Sequence, residues 1–159
     1  MDAPTGTEAA ADAAAEPFDL LRELFAREQL GVLATHAPEH PYASLVAVRA
    51  SGDLRRLYFC TTRATRKFSF LTSDPRVAML VDSRSAADLD FHQAVAVTAV
   101  GTARELEGEE RDRQLVTFLE RHPQLRTFAS SPSTALVELA VETYYLVRRF
   151  QNVTELHLR

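Results

Sequence analysis

The sequence predicts a mainly β fold with flanking helices, in which about six mostly antiparallel strands close, or nearly close, into one barrel. Three observations predict it. From Gly31 to Thr62, β-forming runs are joined by short turns, the pattern of a meander and not of alternating strands and helices. Two long, mostly apolar runs, Ala94–Arg104 and Ala135–Phe150, can each span a barrel wall. Six or so mostly antiparallel strands in this length favour closure, because closure removes exposed edges. With 159 residues, 46% of them hydrophobic and 25% charged, the chain suits one soluble globular domain.

Residues 1–16 carry no large apolar side chain beyond Met1, so they read as an Ala-rich tail and the domain as 17–159. Phe18 to Gln29 puts Phe18, Leu21, Leu24 and Phe25 on one helical face. Gly31 stops that helix and Val32–Thr35 starts a strand. His36–Pro41 is a turn with two prolines, Tyr42–Arg49 a second strand, and Ser51-Gly52-Asp53 a hairpin connection leading to the strand Leu57–Thr62. From Ala64 to Ser73 the period changes to helical, with Thr65 able to cap and Asp74-Pro75 ending the segment. Val77–Val81 is a further strand, and the polar stretch Ser83–Asp90 a loop. Gly101 in the long run Ala94–Arg104 marks a bulge or bend. Gly108–Arg121 is a helix with Leu115, Phe118 and Leu119 inward, stopped near His122-Pro123. Leu125–Ser130 adds a helical turn, Ala135–Phe150 a strand or bent strand pair, and Val153–Leu158 a last short strand.

Charge and cysteine content exclude several function classes. A net charge of −4 argues against nucleic acid or an anionic membrane surface as main partner, so any basic site is local. The single cysteine, Cys60, excludes an intrachain disulfide and any multi-cysteine metal centre. No apolar run approaches the roughly 20 residues of a membrane span, and the N-terminus lacks the basic-then-apolar order of a signal peptide, so a cytoplasmic location is expected. The five histidines have no metal-site spacing and read as surface or turn residues.

The stretch that carries chemistry is Leu57–Leu71. A strand runs into Thr61, Thr62 and Thr65, and Arg66 and Lys67 follow at the start of a helix. Free backbone amides and the macrodipole favour an anion there, and an adjacent guanidinium and ammonium supply the donors a phosphate needs. Basic side chains in a first helical turn are otherwise mildly unfavourable. The alternative is a solvated Thr-rich turn with three exposed basic residues, Arg63, Arg66 and Lys67.

Over Gly31 to Gly101 the chain resembles the pyridoxamine 5′-phosphate oxidase-like, FMN-binding split-barrel superfamily. The resemblance rests on Pro41 with Tyr42–Val48, on Phe59-Cys60-Thr61, on Thr65-Arg66-Lys67 and on Asp74-Pro75-Arg76-Val77. It implies an antiparallel split β-barrel. It also implies an FMN whose phosphate is held by Arg66 and Lys67 with Thr61 and Thr65 assisting, beside Cys60 and Thr62. The backbone of Ser44, Leu45 and Val46 would lie along the isoalloxazine ring. It further implies a homodimer with the cofactor at the interface and a flavin oxidoreductase acting on a small molecule. The chain departs from the true oxidases at three places. Ser44 stands where they have an arginine; Ala96 stands where they have a glutamine, with Gln93 three residues earlier; and their C-terminal Arg and His pattern is absent. Oxidation of pyridoxamine phosphate is therefore not expected. Two sister groups share features: deazaflavin-dependent reductases, and haem-utilisation proteins through Gly31–Thr35, Pro41–Leu45 and Asp74–Arg76. The second class of function is thus non-catalytic binding of flavin, haem or another tetrapyrrole.

Overall fold

The computed structural model describes residues 6–85 and 90–159, with side chains described from Glu16 onward. The first helix, α1 (Gly6–Arg27), starts earlier than its amphipathic half alone predicts. Alanine is the strongest helix former, so a helix docked by Leu21, Leu24 and Phe25 propagates back through the Ala-rich run. Residues 1–5 of the expected tail lie outside the described residues.

Eight strands follow: β1 (Leu30–His36), β2 (Pro41–Ala47), β3 (Arg49–Ala50), β4 (Arg56–Thr62), β5 (Arg76–Asp82), β6 (Val95–Glu105), β7 (Thr134–Arg148) and β8 (Asn152–His157). All pairs are antiparallel, in the order β2-β1-β5-β6-β7-β4-β3, with β8 on β7. The two edge strands, β2 and β3, are separated in sequence only by Val48. One continuous segment therefore belongs to both ends of the sheet and curls it into a half-barrel, the split barrel expected. The strand count exceeds the expected six or so because that segment divides at Val48, and the last short strand expected at Val153–Leu158 is β8.

Gly101 makes this curvature possible. Register shifts between Val100, opposite Thr143, and Gly101, opposite Val141, so Glu142 is an extra residue in β7. The bulge swaps which residues point inward: Val137, Leu139 and Val141 before it, Tyr144 and Leu146 after it. A single strand of 15 residues can then serve β4 along one half and β8 along the other.

Two cores result. The inner core collects Leu33, Phe59, Met79, Val97 and Tyr144 with Leu21 and Leu24 of α1 and Leu71 of α2 (Arg66–Ser73). The outer core lies between the other face of β4 and β7 and helices α3 (Gly108–Arg121) and α4 (Arg126–Ala129), through Tyr58, Cys60, Phe118 and Leu136. Within this layer Glu138 is a buried carboxylate that sequence reading missed, because it is a single acid in an apolar strand. Arg104 donates to it at 3.0 and 3.2 Å, and Arg56 lies at 3.4 Å. Such a charge is tolerable only with both cations present.

His122 corrects an expectation. It is fully buried, not a surface histidine: its ring packs tilted against Phe118 with centroids 4.9 Å apart, and Nε2 lies 3.0 Å from the Val48 carbonyl. Nδ1 is buried without a partner. Burial holds its pKa below the ordinary value, and the nearby Arg121 and Arg49 push the same way. A group whose folded-state pKa is depressed binds fewer protons folded than unfolded. Stability is then complete above the ordinary histidine value near 6.5 and is lost as pH falls below it. We expect the urea midpoint to fall on acidification from neutral pH, and His122→Gln, which keeps a donor for Val48, to flatten that slope. Parallel pH curves for the two proteins would refute this assignment.

Candidate functional site

The segment Leu57–Leu71 spans the end of β4 and the start of α2. Thr65 is the N-cap, extended at φ −83°, and its side chain accepts from the Phe68 amide. Its hydroxyl lies 2.8 Å from that of Thr61 and donates to the Thr62 carbonyl at 2.9 Å. The Thr62 carbonyl also receives the Thr65 amide at 3.2 Å, so the turn is tied to one oxygen. Thr61 is buried beneath it.

The three basic residues of the turn divide into two kinds. Arg63 is engaged: it donates to Glu105 at 2.8 Å and to the Pro132 carbonyl at 2.7 Å, pinning the turn to the far end of β6. Arg66 and Lys67 have no hydrogen bond or ion pair among the described residues, and no acid occupies the first turn of α2. The amides of Arg66 and Lys67 precede the first intrahelical bond, which Ser69 makes to Thr65. Free amides, two unneutralised cations and a hydroxyl pair thus converge on one end of a helix. An anion suits this set better than solvent does. Arg66 also borders a cleft of about 360 Å³ between α2 and the β1–β2 hairpin, shared with Tyr42 and Phe70, whose rings meet edge-on at 5.3 Å.

Along β2, the bonds from Val48 N to the Gln29 carbonyl and from Ala37 N to the His40 carbonyl frame the ladder with β1. In that frame Ser44 and Val46 exchange their backbone bonds with β1, while the N–H and C=O of Leu45 point off the open edge of β2. Ser44 opposes the core residue Leu33 and so faces inward; its Oγ is buried and unpartnered. Leu45 faces out and is 64% exposed. Beside it lies a cleft of about 430 Å³ lined by Leu30, Val32, Leu45 and Leu80, with Arg84 at the rim.

The residues expected at the site are not all brought together. Thr61, Thr65, Arg66 and Lys67 share the α2 terminus, Thr62 offers its carbonyl, and Leu45 offers its backbone edge. The side chain of Cys60 points to the opposite face of β4, among Phe118, Leu119 and Leu136. Burial pushes its thiol up to about 12, so it is neither ionised nor accessible near neutrality. Ala96 lies within β6 opposite Val147, and Gln93 precedes that strand, exposed in a turn. The Ser44 hydroxyl is buried without a hydrogen-bond partner among the described residues.

A family model described as pyridoxamine 5′-phosphate oxidase matches residues 18–148. The chain belongs to that family. Its departures from the true oxidases therefore fall within a shared scaffold. No curated protein sequence matches the chain. Among solved structures, a haem-binding protein from Mycobacterium smegmatis superposes with a TM-score of 0.76 at 22% identity, over 86% of this chain and 55% of that one. ChuZ of Campylobacter jejuni gives 0.77 at 15%, over 90% of this chain and 60% of its own. An FAD-binding protein from Mesorhizobium loti gives 0.66 at 16%, over 80% and 89%. This chain thus spans little more than half of the first two. These likenesses establish the fold. Among the described residues no helix is long and apolar enough to cross a membrane.

Proposed function

We propose that this member of the pyridoxamine 5′-phosphate oxidase family is an FMN-binding flavoprotein, working as a homodimer with the cofactor between the copies and acting as an oxidoreductase on a small molecule. One observation carries the reading: among the described residues Arg66 and Lys67 have no partner, at an amide-bearing helix start beside which the turn's third basic residue, Arg63, is fully engaged. When bound, the flavin supplies the two-electron chemistry. Arg66 and Lys67 would hold the phosphate with Thr61 and Thr65 assisting, and Ser44 stands where the true oxidases have an arginine. The outward N–H and C=O of Leu45 would lie along the ring, and the apolar side chains of Leu30, Val32 and Leu80 would exclude water from it. No acid or base of the chain is assigned to the reaction.

A second reading, non-catalytic binding of a tetrapyrrole, is favoured by the haem-binding protein that shares the fold. His36 and His40, exposed on the β1–β2 hairpin, are the side chains it would call on. A visible absorption spectrum of the purified protein, with heat release and mass analysis of any pigment, separates the two. Broad flavin bands with released FMN support the first reading, and reduction by a nicotinamide then tests the oxidoreductase. A sharp Soret band supports the second and overturns the first.

A further inference from the structure

The β7–β8 hairpin turns on a backbone that its residues do not favour. Arg148 pairs with Asn152, so Arg149, Phe150 and Gln151 make the turn. Arg149 and Phe150 both have positive φ, at 51° and 67°. The Gln151 amide donates to the Arg149 carbonyl at 2.8 Å, closing a γ-turn centred on Phe150 in its strained, positive-φ form. Glycine or asparagine adopts this conformation readily, whereas a bulky aromatic residue is strained in it. Burial does not offset the strain, because Phe150 is 67% exposed.

The turn fixes the position of a ring. Phe150 meets Phe91, also exposed, with centroids 6.1 Å apart and an interplanar angle of 64°. Both rings border a cleft of about 410 Å³ lined by Ala94, Ala96 and Val147. The two charges of that cleft cancel. Asp82 accepts from the Arg84 backbone amide at 2.9 Å, from its Nε at 2.9 Å and from its Nη2 at 2.6 Å. The buried Ser83 hydroxyl accepts from the Val95 amide at 3.0 Å. Here β6 is paired with β5 and β7, and β7 with β6 and β8, so neither presents a free strand edge.

We propose that this cleft binds an uncharged, flat aromatic molecule that stacks on the rings of Phe91 and Phe150. Its volume lies in the range of about 300–1,000 Å³ that small-molecule sites occupy. A peptide would bring amides that need partners, and the strands beneath have no free edge to supply them. An ionised ligand would lose hydration without gaining a counter-charge, since Asp82 and Arg84 neutralise one another. An aromatic ligand needs neither, because rings attract one another edge-on or offset at about 4.5–7 Å. Strain held at an exposed side chain beside a cleft is the mark of a residue kept for contact and not for stability. The site goes beyond the flavin reading: among the described residues it shares with the Leu45 cleft only Asp82 and Arg84.

The test is calorimetric titration of the full chain, with and without excess FMN, using 2-naphthol as probe. Two analogues accompany it: 2-naphthoate adds a charge, and decahydro-2-naphthol keeps the skeleton but not the flat ring. We expect 2-naphthol to bind with FMN present or absent, and both analogues to bind about 10-fold more weakly or worse. Phe91→Ala and Phe150→Gly should each weaken 2-naphthol by about 10-fold, whereas Val116→Ser, on the exposed face of α3, should change nothing. Glycine suits the turn, so Phe150→Gly should keep or raise the urea midpoint while losing the ligand. Phe150→Asn, which also tolerates positive φ, serves if the glycine variant does not fold. No binding of 2-naphthol, or equal binding of decahydro-2-naphthol, overturns the site and leaves the flavin reading standing. Displacement of 2-naphthol by FMN overturns it as a separate site and upholds flavin binding. A Phe150→Gly variant with a lowered urea midpoint makes Phe150 a packing residue, and one that changes sedimentation but not 2-naphthol binding makes it a protein contact; either overturns the proposal.

Discussion

Lys67→Ala is expected to raise the dissociation constant for FMN by about 10- to 100-fold, the loss of a charge-assisted hydrogen bond of about 1.5–3 kcal/mol. The side chain has no partner among the described residues, so its removal should leave stability almost unchanged. Two controls make the assignment specific. Riboflavin lacks the phosphate, so the native protein and Lys67→Ala should bind it equally. Arg63→Ala removes a structural tether to Glu105 and Pro132 and should lower stability more than it lowers FMN affinity. Raising salt should weaken FMN binding to the native protein more than to Lys67→Ala, because the lost contribution is the one that ions screen. Fluorescence titration measures all of these. If Lys67→Ala weakens riboflavin and FMN alike, Lys67 does not hold the phosphate.

Gly101→Ala is expected to be the most damaging of the small substitutions. A Cβ there would lie 1.9 Å from the Ala140 carbonyl oxygen and 2.9 Å from its carbon, and both are backbone atoms of the paired strand. A flexible side chain could swing aside; two hydrogen-bonded strands cannot separate without losing the bulge that curls the sheet. The cost should exceed about 4 kcal/mol, in the range reached only when a defined structural feature is broken. Gly52→Ala is the matched control: nothing lies within 4 Å of its added Cβ. Its effect should stay within about 0.5 kcal/mol. Urea unfolding of both variants measures the contrast, and equal midpoints would show that the strands accommodate the extra carbon.

The chemistry of the candidate site was largely legible in the sequence because it is local. A threonine two residues after the strand's core, a capping threonine four residues later and two basic residues in the next turn lie within one short segment, and helix-end electrostatics act over that distance. The bulge at Gly101 was legible for a similar reason, since a glycine inside a long, mostly apolar strand marks a place where a side chain does not fit. What that reading lacked was the division among the cations. Arg63, Arg66 and Lys67 look alike in the sequence, and only the approach of Glu105, 42 residues away, shows that Arg63 is paired while the other two have no partner among the described residues.

Other features were decided by tertiary structure alone. His122 reads as a helix-stop residue beside a proline, yet the packing of α3 on the barrel buries it against the strand that closes the sheet. Glu138 sits in an apolar run whose period says nothing of the two arginines brought to it by neighbouring strands. Cys60 and Thr61 are adjacent in the motif but lie on opposite faces of β4, because strand side chains alternate and both faces of that strand are buried. The sequence by itself determined the elements, their order and the anion-seeking turn, since these follow from local periodicity, capping and charge. Which faces are covered, which charges are paired and which apolar side chains stay exposed depend on contacts between residues far apart in the chain, and only the folded sheet sets those.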